Sequence, residues 1–211
     1  MFKITPENER VKIDYKGIFK GHFNVTYKGV QAIKCPMDYV IYQMIIGEVR
    51  PDLIIEIGCN NGGGTIYLAD LLKIYNIKGE VHAIDITENA KENLSPYDNI
   101  KLFSDGWEKY DINLVKDFSK ILVIEDAAHT YECTIGAIEK FASLVSKDSY
   151  LIVEDGIVDK LGMSDEFSGG PLKAIREFLP NHPEYIVDEK WCNFFGKNAT
   201  FNVRGYLKKI K

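Results

Sequence analysis

Short apolar runs and segments of helical spacing alternate along most of the chain. Strands are predicted at 53–57, 81–86, 101–104, 121–125 and 150–154, with helical patterns over 64–75 and 131–145. Each run is apolar throughout, as in strands buried on both faces and joined by crossover helices, which specifies a parallel sheet. Upstream, Pro36 opens a helix whose apolar positions Val40, Ile41, Met44, Ile45 and Val49 share one face. The polar, Gly-rich stretch 156–170 precedes a helix from Pro171 to about Leu179, then two final strands near 184–191 and 199–208. The fold expected is α/β, a doubly wound, seven-stranded and mostly parallel sheet.

The first 35 residues break this rhythm. The β-leaning runs 11–15 and 23–27 are each followed by a Lys-Gly turn signal, and read as an N-terminal extension or lid over a domain spanning 36–211. A chain of 211 residues with 45% hydrophobic content suffices for one core plus that appendage.

Charge and cysteine content narrow the partners. A net charge of -5 gives no electrostatic reason to bind nucleic acid, and the terminal basic residues Arg204, Lys208, Lys209 and Lys211 read as a solvated last strand. No apolar run approaches the ~20 residues a membrane span requires, so a cytoplasmic protein is expected. Cys35, Cys59, Cys133 and Cys192 lie far apart, without zinc-site spacing, and read as free thiols. A homo-oligomer is compatible with all of this.

Ligands of open α/β sheets bind beyond the carboxyl ends of the strands, which directs attention to Glu56 through Gly64. Gly58, Gly62 and Gly63 allow a sharp turn and close ligand approach ahead of a helix N-terminus. Asn60 stands where a dinucleotide fingerprint needs its second glycine. Glu56 would repel a pyrophosphate and suits the ammonium of a zwitterionic cofactor, which favours S-adenosylmethionine over NAD. Asp85, closing the second strand, suits ribose hydroxyls, or else simply caps the strand. After the third strand, Asp105, Gly106 and Trp107 lie where an adenine would sit, Asp105 as acceptor for its amine and Trp107 as a stacking face or ordinary core.

The fourth and fifth strands both end in acids. Asp126, Glu154 and Asp155 are expected to crowd together, and an oxygen-only set of this kind suits Mg²⁺ or another hard divalent ion. Such an ion beside a methyl donor can orient an acceptor's hydroxyls and lower the pKa of the attacking one. His129 is the candidate base, with Asp126, as part of the catalytic set. His82 falls in a strand, and His22 and His182 in loops, so these three are taken as structural.

Taken together, Thr26-Tyr27-Lys28-Gly29-Val30, Ile33-Lys34-Cys35-Pro36-Met37-Asp38, Arg50 through Gly58, Gly62-Gly63, Asp126 through Glu132, Leu151 through Asp155 and Gly169-Gly170-Pro171 resemble the cephalosporin hydroxylase or rhamnosyl O-methyltransferase family. The likeness covers about 26–208. It implies a class I, Rossmann-like methyltransferase with magnesium, related to macrolide sugar O-methyltransferases. By that likeness Asp126, Glu154 and Asp155 match metal ligands, His129 the base, and Glu56, Gly58, Asp85 and Asp105 cofactor positions. Gly64 departs from the family's usual Ser. Glu125 departs from its apolar preference and becomes a rival ligand to Asp126.

The reaction expected is methyl transfer from S-adenosylmethionine to a hydroxyl of a sugar or glycosylated small molecule. A catechol-like acceptor is the alternative, with Trp191, Phe194 and Phe195 as its aromatic pocket. A non-catalytic nucleotide-binding module is disfavoured by the intact acid and histidine set.

Overall fold

The computed structural model describes residues 14–211. A helix α1 (Tyr15–His22) leads into a hairpin of β1 (Thr26–Tyr27) and β2 (Val30–Gln31), then α2 (Pro36–Val49). The core continues as β3 (Leu53–Ile57), α3 (Gly63–Ile74), β4 (Glu80–Ile84), α4 (Lys91–Leu94), β5 (Ile100–Phe103) and β6 (Ile121–Glu125). It closes with α5 (Tyr131–Phe141), β7 (Tyr150–Val153), α6 (Ile157–Lys160), α7 (Gly170–Phe178), β8 (Tyr185–Val187), α8 (Glu189–Cys192) and β9 (Tyr206–Lys209).

Seven strands form one sheet in the order β5-β4-β3-β6-β7-β9-β8, parallel except for β9, which runs antiparallel between β7 and β8. The order reverses between β3 and β6, the switch point at which a crevice opens. Side chains alternate across each strand, so Leu53, Ile55, Val123 and Leu151 face α5 and α7, while Ile54, Leu122, Ile124 and Ile152 face α2 and α3. Both faces are thereby covered, as the unbroken apolar runs required.

Local signals set the helix ends. Pro36 stands in the first turn of α2, where its missing N–H costs nothing, and Arg50 ends that helix at φ 53°. Thr130 caps α5 by accepting the Cys133 N–H at 3.3 Å.

The termini differ from the sequence pattern. Residues 11–13 of the first β-leaning run lie outside the described residues, and Tyr15 begins a helix. His22, expected in a loop, is the last residue of that helix and is buried. The run 23–27 is strand only at Thr26–Tyr27. At the other end, 184–191 divides into β8 and α8, and 199–205 is a tight turn before β9. These short pieces take their form from packing, since few of their residues alternate regularly. Among the described residues no helix is long and apolar enough to cross a membrane.

Candidate active site

A cavity of about 730 Å³ opens at the switch point. Its floor comprises Glu56–Asn60, Gly64, Ile84–Ile86 and Asp126–His129. Its far walls are Phe19, His22 and Phe23 from α1 and its end, Lys34 from the loop before α2, and Val158, Met163 and Phe167 beyond β7.

The glycines work through close backbone approach. Gly58 has φ 92°, and a Cβ there would stand 2.0 Å from the Asp126 carbonyl oxygen. Gly63 admits the Gln31 carbonyl, which would lie 2.3 Å from a Cβ. Gly64, the departure from the family's Ser, leaves space for the Lys34 stem, whose Cε would be 2.7 Å from a Cβ. Gly58 and Asn60 line the cavity, whereas Gly62 and Gly63 shape the turn behind it.

Asp85 lies at the cavity floor with Oδ2 accepting the Asn60 N–H at 2.9 Å and Oδ1 accepting the Ile86 N–H at 2.8 Å. It caps its strand and faces the cavity at once. Trp107 also lines the cavity, its ring over Gly136 of α5, and Lys140 fixes the loop by donating to the carbonyls of Trp107, Glu108 and Tyr110 at 2.9, 2.7 and 2.9 Å. Gly106 is buried behind it. Asp105 stands apart: its side chain is 82% exposed, 3.9 Å from Lys109, and absent from the cavity wall.

Lys34 is the residue that sequence reasoning passed over. Its side chain is 3% exposed, with Nζ 2.6 Å from Glu154 Oε1, 2.7 Å from Asp126 Oδ2 and 3.5 Å from Glu56 Oε1. The crowded acids therefore have an internal cation. Burial disfavours the ammonium, but the three carboxylates hold its pKa well above the ordinary value. Glu154 is further engaged by the Tyr42 hydroxyl at 2.7 Å. Asn202 donates to Tyr42 at 2.9 Å and to Tyr206 at 3.3 Å, and Tyr206 donates to Asp38 at 3.0 Å. This buried network ties the first turns of α2 and the 199–205 turn to the site. The one available sequence signal was a Lys directly before Cys35-Pro36, too short to indicate where its tip lies.

Asp126, His129 and Asp155 form the group whose ligand atoms lie within 4.8 Å of one another. His129 Nε2 is 3.3 Å from Asp155 Oδ2 and 3.9 Å from Asp126 Oδ1. His129 and Asp155 have φ of 56° and 54°, left-handed values that side chains adopt at some cost and that recur at functional sites. Burial and the charge of Glu154 raise the Asp155 carboxyl to about 7, opposed by Lys34. The same causes push Asp126 well above the carboxylate range. Burial lowers the His129 pKa.

Glu125 lies on the opposite side of its strand from the other acids. Strand alternation turns it to the α5 face, on the side of Val123, while Asp126 faces Lys34. Two of the other histidines are engaged elsewhere, His82 with Tyr110 and Glu80 and His182 with Glu139 and Glu184, whereas His22 lines the cavity with Nδ1 on the Phe19 carbonyl. The aromatic group expected for a catechol is elsewhere too. Trp191 is fully buried and donates to Tyr150, and neither Phe194 nor Phe195 lines the cavity. Phe19, Phe23, Trp107 and Phe167 provide aromatic walls instead. All four cysteines are free thiols.

Comparison with known proteins places the chain among O-methyltransferases. A rhamnosyl O-methyltransferase of Mycobacterium tuberculosis is 27% identical over 190 residues, spanning 86% of this chain and 77% of the relative. One from Mycobacterium leprae is 25% identical over 207 residues, 92% and 88% of the two chains. A solved structure of CmcI with Mg and SAM superposes at a TM-score of 0.68 with 21% identity, covering 100% of this chain and 89% of that one. The O-methyltransferase TomG from Streptomyces achromogenes, solved with SAM, superposes at 0.57 with 15% identity over 95% and 92% of the chains. The structural likenesses establish the class I fold. The family model Rhamnosyl O-methyltransferase/CmcI matches residues 20–210, nearly the whole chain, and the protein belongs to that family of O-methyltransferases.

Proposed function

We propose that the protein transfers the methyl group of S-adenosylmethionine to a hydroxyl of a sugar carried on an apolar group, with a divalent ion held at the acids. The observation that carries this reading is the convergence, in one cavity, of the Gly58–Asn60 turn and Asp85 with Asp126, His129 and Asp155.

Asp85 would take the ribose hydroxyls, and Ile86 and Trp107, which line the same cavity, would flank the adenine. Glu56 Oε2 accepts from the Thr65 hydroxyl at 2.5 Å, and Oε1, toward Lys34, would serve the methionine end of the cofactor. Phe19, Phe23 and Phe167 hold the aglycone and exclude water from the reacting end.

Asp126 and Asp155 fit a hard divalent ion: they are carboxylate oxygen donors on the cavity wall, and burial, followed by the neighbouring Glu154 charge, raises their pKa values, which an ion held between them would reverse. Glu154 stands behind them, its Oε1 engaged by Lys34 and Tyr42. When bound, the ion supplies Lewis acidity, lowering the pKa of the attacking hydroxyl. His129 accepts that hydroxyl's proton at Nε2. The protein's own contribution is proximity and a fixed electrostatic field.

Isothermal titration should give heat with S-adenosylmethionine and none with NAD, and an aryl rhamnoside should become methylated in a chelator-sensitive way. Heat from NAD alone would remove the reading. The aromatic walls also favour a second acceptor class, catechols, and turnover of a catechol but no rhamnoside would select it.

Two further outcomes are expected. Asp126→Asn should lower Mg²⁺ affinity at least tenfold, with the S-adenosylmethionine Kd nearly unchanged, since Asp126 faces the acids rather than Asp85. Mg²⁺ affinity should also rise with pH. Asp155 titrates near 7 without the ion, and the ion requires the carboxylate, so each unit below that value weakens binding by about tenfold. Titrations at pH 6 and 8 measure this, and equal affinities would exclude Asp155 as a ligand.

A further inference from the structure

The α5 side of the fourth-strand end contains a buried acid that the roles above do not use. Glu125 is fully buried, and its Oε1 accepts the Ala127 N–H at 3.3 Å. Its Oε2 has no partner. Neither has His129 Nδ1, likewise buried, while the opposite nitrogen of the same ring faces Asp155 and Asp126. Thr134 Oγ1 is buried and unpartnered too, and its hydroxyl is a side-chain donor acting on Glu125. An unpaired buried donor or acceptor costs about 1–3 kcal/mol, and the free Glu125 Oε2 has lone pairs for both the Thr134 hydroxyl and His129 Nδ1. Charge agrees with position. Glu125 is the largest charge favouring the His129 imidazolium, and His129 the largest charge favouring the Glu125 carboxylate.

We infer that Glu125 is a positioning residue for His129, its Oε2 accepting the Nδ1 proton after a small turn of the ring or through one enclosed water. This rests on the role given to His129 under the proposed function. A neutral imidazole has one N–H and one lone pair, so a proton fixed at Nδ1 leaves the lone pair at Nε2. That is the nitrogen facing the reacting end of the cavity. With the other tautomer, Nε2–H would donate to Asp155 at 3.3 Å and would have no lone pair to take the acceptor's proton.

The test is the tautomer of His129 by two-bond ¹⁵N–¹H correlation on ¹⁵N-histidine protein in chelator, assigned by loss of the signal in His129→Gln. The wild type should show Nδ1–H with an unprotonated Nε2. Glu125→Gln, whose amide oxygen still accepts, should keep that form, and Glu125→Leu should convert it to Nε2–H. The Leu variant should also lose about 10–100-fold in kcat at an unchanged S-adenosylmethionine Kd, with Gln restoring most of it. An Nε2–H wild type, or a Leu variant with unaltered tautomer, would overturn the inference. If the Leu variant fails to fold, the wild type and Gln spectra decide. The tautomer needs no acceptor, metal or turnover, so it can fail while methyl transfer stands, or stand while methyl transfer fails.

Discussion

Lys34→Met should lower the unfolding free energy by about 3–5 kcal/mol at pH 8, the cost of leaving buried charges without their partner. Met keeps most of the stem that passes Gly64 and removes only the ammonium. Asp126 and Glu154 would then face each other with Glu56 nearby, and no other Lys or Arg contacts any of the three among the described residues. The penalty should shrink on acidification. Burial already raises the folded-state pKa of Asp126 and Glu56, and removing the cation that opposes this raises them further above the unfolded value. The folded state then holds protons that the unfolded chain has lost, so stability is kept at low pH and falls as pH rises. Urea unfolding of both proteins at pH 5.5 and 8 measures the difference, and equal stability at pH 8 would contradict the pairing.

The second large effect is expected at the cofactor turn. Gly58→Ala should cost about 2–4 kcal/mol and weaken S-adenosylmethionine binding at least tenfold. Its φ of 92° is unfavourable for alanine, and the new Cβ would meet Asp126 O at 2.0 Å and Ala127 Cα at 2.9 Å. Those neighbours are backbone at the end of β6, held by the Asp126 N–H donating to Ile57 O at 2.8 Å. Relief therefore requires β3 and β6 to part, which moves the turn and Asp126 together. Gly62→Ala is the control: its φ is similar, at 90°, but the nearest atom is Leu94 Cδ2 at 2.8 Å, the end of a flexible side chain. Equal losses in the two variants, by thermal melting and cofactor titration, would argue against backbone crowding at Gly58.

These two positions differ in how visible they are before folding. Gly58 announces itself, because a buried strand running into glycines at a helix start is a contiguous signal. Lys34 meets partners 92 and 120 residues away, and nothing adjacent to it specifies them.

By itself the sequence determined the alternation of strand and helix, the glycine turn at the end of β3, and the acids ending β6 and β7, because each depends on the spacing of neighbouring residues. Only the tertiary structure decided which side each acid serves. It put Asp126 against Lys34 and turned Glu125 to the α5 face, although the two acids are adjacent in the chain. It turned Asp105 outward and left Trp107 on the wall, and brought α1, within the segment read as an N-terminal extension or lid, to the far side of the cavity. The reason is physical. Backbone periodicity is a local property, whereas the cation that balances buried carboxylates, and the aromatic wall facing them, are chosen by the packing of segments far apart along the chain.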